Sequence, residues 1–228
     1  SLLVGAVSNK AGEGDKLLIL RREPETNELV LAQEIALDVG ITCPVQYKIW
    51  YSLNISPDGH HLYVLAEHQA ILLFELDANT NKLALVAEYP MDGGPVSCPW
   101  QGTQQLAISP DGLHQYLLSV TQTKSFDYGG QIQVFERDSY SGLLTELETT
   151  VWQGTEFWGW LATGMLRVSP DGLSVYADFG GAVLANYARD AATGSLELVD
   201  KSSPENYFIL SPDGSNVYLA SYFYDVLW

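Results

Sequence analysis

Short apolar runs rich in β-formers recur along the chain, and turn-forming residues bound each run. Leu62-Tyr63-Val64, Gln115-Tyr116-Leu117, Val175-Tyr176-Ala177 and Val217-Tyr218-Leu219 are four such runs, each containing a tyrosine. Runs this short, β-rich and set between turn residues predict strands. No stretch carries the period of an amphipathic helix, so the chain reads as all-β.

Each tyrosine run follows the tetrapeptide Ser-Pro-Asp-Gly, at residues 56–59, 109–112, 169–172 and 211–214. The intervals between copies are 53, 60 and 42 residues. Pro fixes φ at the second turn position, Asp bonds local backbone and Gly accepts positive φ. The tetrapeptide therefore predicts a tight turn joining an inner apolar stretch to the tyrosine strand. Turn chemistry accounts for Asp58, Asp111, Asp171 and Asp213 without making them a ligand series. A second recurring turn centres on residues 24–28, 77–82, 138–142 and 190–195, with Asn or Gly for the left-handed position. Strands are predicted between the two turns at residues 16–22, 70–75, 131–137 and 182–189.

A unit of four antiparallel strands repeating every 42 to 60 residues predicts a β-propeller blade. Blades are expected over residues 49–90, 103–150 and 163–200, with partial blades over 1–36 and 206–228. Together they make one propeller domain of about four to five visible blades. The partial ends either overlap to close a small ring of four or five blades or belong to a longer propeller; they duplicate second and third strands instead of complementing each other, which favours a piece of a larger ring.

Charge narrows the partners. The 228 residues hold 28 Asp and Glu against 11 Lys and Arg, a net charge of −17. So acidic a surface repels phosphate backbones and anionic membranes, so no nucleic acid is expected as a partner. No apolar run is long enough for membrane insertion. Cys43 and Cys98 share a Cys-Pro context, which fits either one disulfide or two buried thiols. No leader segment is visible at Ser1, and an extracellular or periplasmic location is expected. No spacing of His, Cys and Asp suits a metal and no Gly-rich loop suits a phosphate, so neither metal nor cofactor is expected.

The order of Ser-Pro-Asp-Gly, tyrosine strand and Asp-Ala-Ala-Thr-Gly-Ser-Leu resembles the lactonase-like seven-bladed propellers of bacteria, with their Tyr-Val-Thr-Asn-type repeats. Tyr187-Ala188-Arg189-Asp190-Ala191-Ala192-Thr193-Gly194-Ser195-Leu196 is the nearest single match. The resemblance implies a seven-bladed ring, and an activity of the 6-phosphogluconolactonase or carboxymuconate-lactonising type. Inner strands in that family often carry a Gly-Pro-Arg-His-like run ahead of the repeat turn. Residues 49–53, 102–106, 163–166 and 205–208 contain no Arg-His pair.

Candidate sites lie on the face opposite the two turns. Trp50, Trp100, Trp152, Trp158 and Trp160 fall in blade-to-blade crossovers, and Gln101 and Gln153 sit in a repeated Trp-Gln-Gly-Thr motif. Aromatic faces beside amides suit a sugar ring or a protein anchor, and Trp also caps gaps between blades. The expected function is a non-catalytic binding or scaffold module, secreted or periplasmic, for a protein partner or carbohydrate, in a larger assembly. The alternative is a lactonase-like hydrolase or isomerase. It would use Arg167 as cation and Glu67 or His68 as base. Arg167 also fits a structural ion pair, and His60, His61 and His114 are expected in solvent after the turns.

Overall fold

The computed structural model describes residues 2–10, 14–37, 51–66, 70–91, 104–122, 128–154, 164–179, 183–202 and 207–220. All regular structure in them is strand. The first sheet has β1 (Leu2–Lys10), β2 (Gly14–Arg22) and β3 (Leu29–Leu37). The second has β4 (Tyr51–Ile55), β5 (His61–Ala66), β6 (Ala70–Asp77) and β7 (Lys82–Pro90). The third has β8 (Gln104–Ile108), β9 (His114–Gln122), β10 (Tyr128–Arg137) and β11 (Leu144–Gly154). The fourth has β12 (Met165–Val168), β13 (Ser174–Asp178), β14 (Leu184–Arg189) and β15 (Leu196–Ser202). The fifth pairs β16 (Tyr207–Leu210) with β17 (Val217–Ala220). Strands adjacent in sequence pair antiparallel in every sheet, as propeller blades require.

The repeat turns form as their residues dictate. Gly59, Gly112, Gly172 and Gly214 all have positive φ. In each turn the serine Oγ donates to the aspartate Oδ1 at 2.5 Å, and the glycine N–H donates to the serine carbonyl. The second turn places Asn27, Asn81, Gly142 and Gly194 in the left-handed region. Register slips by one residue between the third and outer strand of every four-stranded blade, at Leu73/Phe74, Val134/Phe135 and Asn186/Tyr187. The first sheet slips at the matching place, Ile19/Leu20. A bulge at a fixed position adds the same twist to each sheet.

The core lies between blades. Leu17, Ile19 and Leu37 of the first sheet meet Leu62, Val64, Leu72 and Phe74 of the second. Tyr63, Leu65 and Ile71 meet Leu106, Leu117, Phe135 and Leu144, and Tyr116, Leu118 and Val134 meet Leu166, Val175 and Tyr187.

A polar latch ties the second blade to the third. Arg137 ends β10 with its side chain 1% exposed. Its Nε donates to Tyr63 Oη (2.8 Å), Nη1 to Gly112 O (2.9 Å) and Nη2 to Asp58 Oδ2 (3.1 Å). Nη2 also lies 2.8 Å from His61 Nδ1. A guanidinium has no lone pair to offer, so His61 Nδ1 accepts and the ring is the neutral Nε2–H tautomer. Tyr63 Oη passes its own hydrogen to Gly142 O at 2.6 Å. The third and fourth blades repeat the arrangement. Arg189 donates to Tyr116 Oη (2.7 Å), Gly172 O (2.8 Å) and Asp111 Oδ2 (2.8 Å), and its Nη2 lies 2.7 Å from His114 Nδ1.

The expectation of solvated histidines holds for His60 and fails for His61 and His114, which are buried. Each sits under the next blade's glycine turn, Gly142 or Gly194, where an added Cβ would overlap the imidazole. Burial first, and the neighbouring guanidinium second, lower both histidine pKa values from the usual range. Burial lifts the Tyr63 and Tyr116 hydroxyls to about 12. Partial burial works to raise the Asp58 pKa, but bonds from Ser56, His60 N and Arg137 outweigh it and hold Asp58 at about 2.

Candidate functional site

Inner strands of a propeller line its central channel. β4 lies beside β8, and β8 beside β12. Side-chain amides knit these strands together. Asn54 Nδ2 donates to Leu106 O at 2.9 Å, and Gln105 Oε1 accepts from Leu166 N at 2.9 Å.

Arg167 stands on this wall. Leu166 is fully buried in the inter-blade core and Val168 packs against it, so strand alternation turns Arg167 the other way. Arg167 Nη1 donates to Leu166 O at 2.7 Å and to Gln105 Oε1 at 3.3 Å. Gln105 Oε1 therefore holds one strand's backbone and the guanidinium at once. The side chain reaches solvent, yet enough protein surrounds it that desolvation lowers its pKa. Among the described residues it has no carboxylate within ion-pair distance, in a chain with 28 acids. The expected alternative, a structural ion pair, is not what these residues make: an amide oxygen and a carbonyl hold Arg167. Its remaining N–H groups bond no described residue. A cation so placed can meet a carboxylate, a phosphate or a developing oxyanion.

Glu67, His68, Trp50, Trp100, Gln101, Trp158 and Trp160 lie outside the described residues, as do Cys43 and Cys98. Trp152 and Gln153, expected in a crossover, are part of β11, opposite Gly130 and Gly129 of β10. The crossover begins later than expected because β10 is ten residues long and keeps β11 paired as far as Gly154. The described side chains thus bring Arg167, Gln105 and Asn54 to one wall, and of these only Arg167 stood out in the sequence. Gln105 occupies the strand position before Leu106, where its role depends on the partner strand 61 residues away.

The two Arg–His–Asp–Tyr clusters resemble catalytic groups in composition but lie between blades. Their bonds are mutual, and each arginine is sealed from water, so they serve the fold. Among the described residues no group of three or more His, Cys, Asp or Glu could hold a metal.

Successive antiparallel sheets, with the inner strands of the second, third and fourth side by side, define a β-propeller. No protein-family model matches the chain, and no curated protein does. Solved structures share this fold. It is similar to a periplasmic gluconolactonase of Pseudomonas aeruginosa, with TM-score 0.69 and 22% identity over 96% of this chain and 60% of that one. A candidate 6-phosphogluconolactonase of Bacteroides fragilis matches with TM-score 0.62 and 18% identity over 94% of this chain and 62% of that one. A Lactobacillus plantarum protein matches with TM-score 0.57 and 16% identity, covering 96% and 59%. The chain thus spans about three fifths of the length of these propellers. At such identities the likeness is one of fold.

Proposed function

We propose that this chain forms part of a propeller lactonase, a hydrolase that opens a sugar lactone with water. The observation that carries the reading is Arg167, a partly desolvated cation on the channel wall with no described carboxylate beside it. The named activities of the Pseudomonas and Bacteroides propellers lend support. The binding-module reading rests mainly on Trp50, Trp100, Trp158 and Trp160, which lie outside the described residues, and gains no comparable support.

In the proposed step, water adds to the lactone carbonyl carbon and the ring C–O bond breaks. The ring oxygen leaves as a hydroxyl, and the product is the open hydroxy acid, which releases one proton. Charge builds on the carbonyl oxygen as water adds, and the Arg167 guanidinium faces it. Gln105 fixes the guanidinium so that little reorganisation is needed. Glu67 and His68, just ahead of β6, are proposed as the source of the base. A periplasmic setting goes with the reading, on the strength of the Pseudomonas neighbour.

The test is proton release from δ-gluconolactone and its 6-phosphate, followed at constant pH with background hydrolysis subtracted. The reading expects turnover above background on at least one of them. Hydrolysis at the buffer rate on both, by a folded full-length protein, refutes it.

A further inference from the structure

The first sheet carries three features that the preceding blade covers in every four-stranded blade of the chain or in two of them. The first is Arg22. It ends β2 just as Arg137 ends β10 and Arg189 ends β14, directly before the turn with the left-handed residue. The turns superimpose bond for bond: Glu23 N to Glu28 O matches Asp138 N to Leu143 O and Asp190 N to Ser195 O. Arg137 and Arg189 are buried against the preceding blade's Asp, His and Tyr. Arg22 is exposed and bonds no described residue.

The second is Leu29, the second residue after the left-handed position. Its counterparts Leu83 and Leu144 are 6% and 8% exposed, and Leu196 packs against the core, whereas Leu29 is 56% exposed. The third is the Leu29 backbone N–H. At the matching residue a side chain of the preceding blade always accepts: Gln33 takes Leu83 N (2.8 Å), Tyr89 takes Leu144 N (2.8 Å) and Glu148 takes Leu196 N (3.2 Å). No described side chain from another blade reaches Leu29 N.

We propose that this face of the first sheet is a docking surface for an adjoining blade of the same ring, one bearing a Ser-Pro-Asp-Gly turn and a tyrosine. The occupant's chemistry follows from what the two buried arginines take. An aspartate Oδ2 receives Nη2, a tyrosine Oη receives Nε, and an imidazole Nδ1 shares Nη2. An anionic turn against a cation gives charge complementarity, and Leu29 gives the apolar neighbour that Leu83 and Leu144 supply elsewhere. A blade without the aspartate would leave the guanidinium buried and uncompensated. This inference is independent of the lactonase reading.

The test is arginine modification on the full-length native protein. Phenylglyoxal labelling is followed by peptide mass spectrometry, with exposed Arg21 and buried Arg137 as internal references. Docking predicts that Arg22 reacts on the order of tenfold more slowly than Arg21, because only opening of the interface admits the reagent. It also predicts that Arg22→Met lowers the Tm about as much as Arg137→Met, while Arg22→Lys recovers part of the loss. Labelling of Arg22 at the Arg21 rate, or an unchanged Tm in Arg22→Met, overturns the proposal. Protection that disappears on dilution in step with a dimer-to-monomer change in sedimentation overturns the same-ring occupant in favour of a second copy.

Discussion

Arg137→Met removes the centre of the latch between the second and third blades. Methionine keeps the aliphatic bulk and deletes every donor. Four acceptors lose their partner: Tyr63 Oη, Gly112 O, Asp58 Oδ2 and His61 Nδ1. Removing one member of a buried charged network costs about 3 to 5 kcal/mol. The Asp58 side chain is 36% exposed and can rehydrate, so its share is small and the lower half of that range applies. For a chain of this size about 3 kcal/mol corresponds to a fall in Tm of about 6 to 12 °C. Asp58→Asn keeps an oxygen acceptor at the partly exposed end and should cost about 1 kcal/mol or less. Urea titration followed by Trp fluorescence, alongside thermal melts, reads both variants. A loss below about 1 kcal/mol for Arg137→Met, or a larger loss for Asp58→Asn, would refute the view that the buried guanidinium organises the interface.

Three further outcomes follow from the same contacts. Gly142→Ala and Gly194→Ala force a Cβ into an imidazole at positive φ and should destabilise by more than about 2 kcal/mol, whereas Gly59→Ala meets only the left-handed penalty of about 1 kcal/mol; melts of the three variants check the order. His61 and His114 stay neutral in the fold with lowered pKa values, so the unfolded chain takes up protons first as pH falls. Their stabilisation is complete above about pH 6.5 and declines below it; the Tm should fall on acidification, and less in a His61→Asn, His114→Asn double variant. Gln105→Leu frees the guanidinium and should lower kcat for lactone opening more than it changes KM, with partial recovery in Gln105→Asn.

Much of the architecture was legible in the chain. Ser-Pro-Asp-Gly fixes φ at Pro and Gly within four residues, so the turns needed no tertiary information. Asn27, Asn81, Gly142 and Gly194 likewise announce the second turn. The latch was not read, because its halves lie 74 to 79 residues apart. A signal existed: His61 and His114 share one offset from the repeat turn, and Arg137-Asp138 and Arg189-Asp190 share one place in the next unit. The two latched interfaces carry both halves. Between the first and second blades Leu76 stands in the arginine position, and apolar packing fills the gap. Arg167 was visible as a lone cation in an inner strand, but its support by Gln105 appears only when β8 and β12 come together. The reach of β11 through Trp152 depends on the length of its partner β10, which local pattern does not encode.

Arg167 is the group proposed to meet charge in the channel. The most direct measurement is kcat/KM for lactone opening by the full-length protein and by Arg167→Gln, with a thermal melt to establish that both are folded. A loss of about 10²- to 10³-fold is expected in the variant, with partial recovery in Arg167→Lys. Equal kcat/KM in the two proteins would contradict that role.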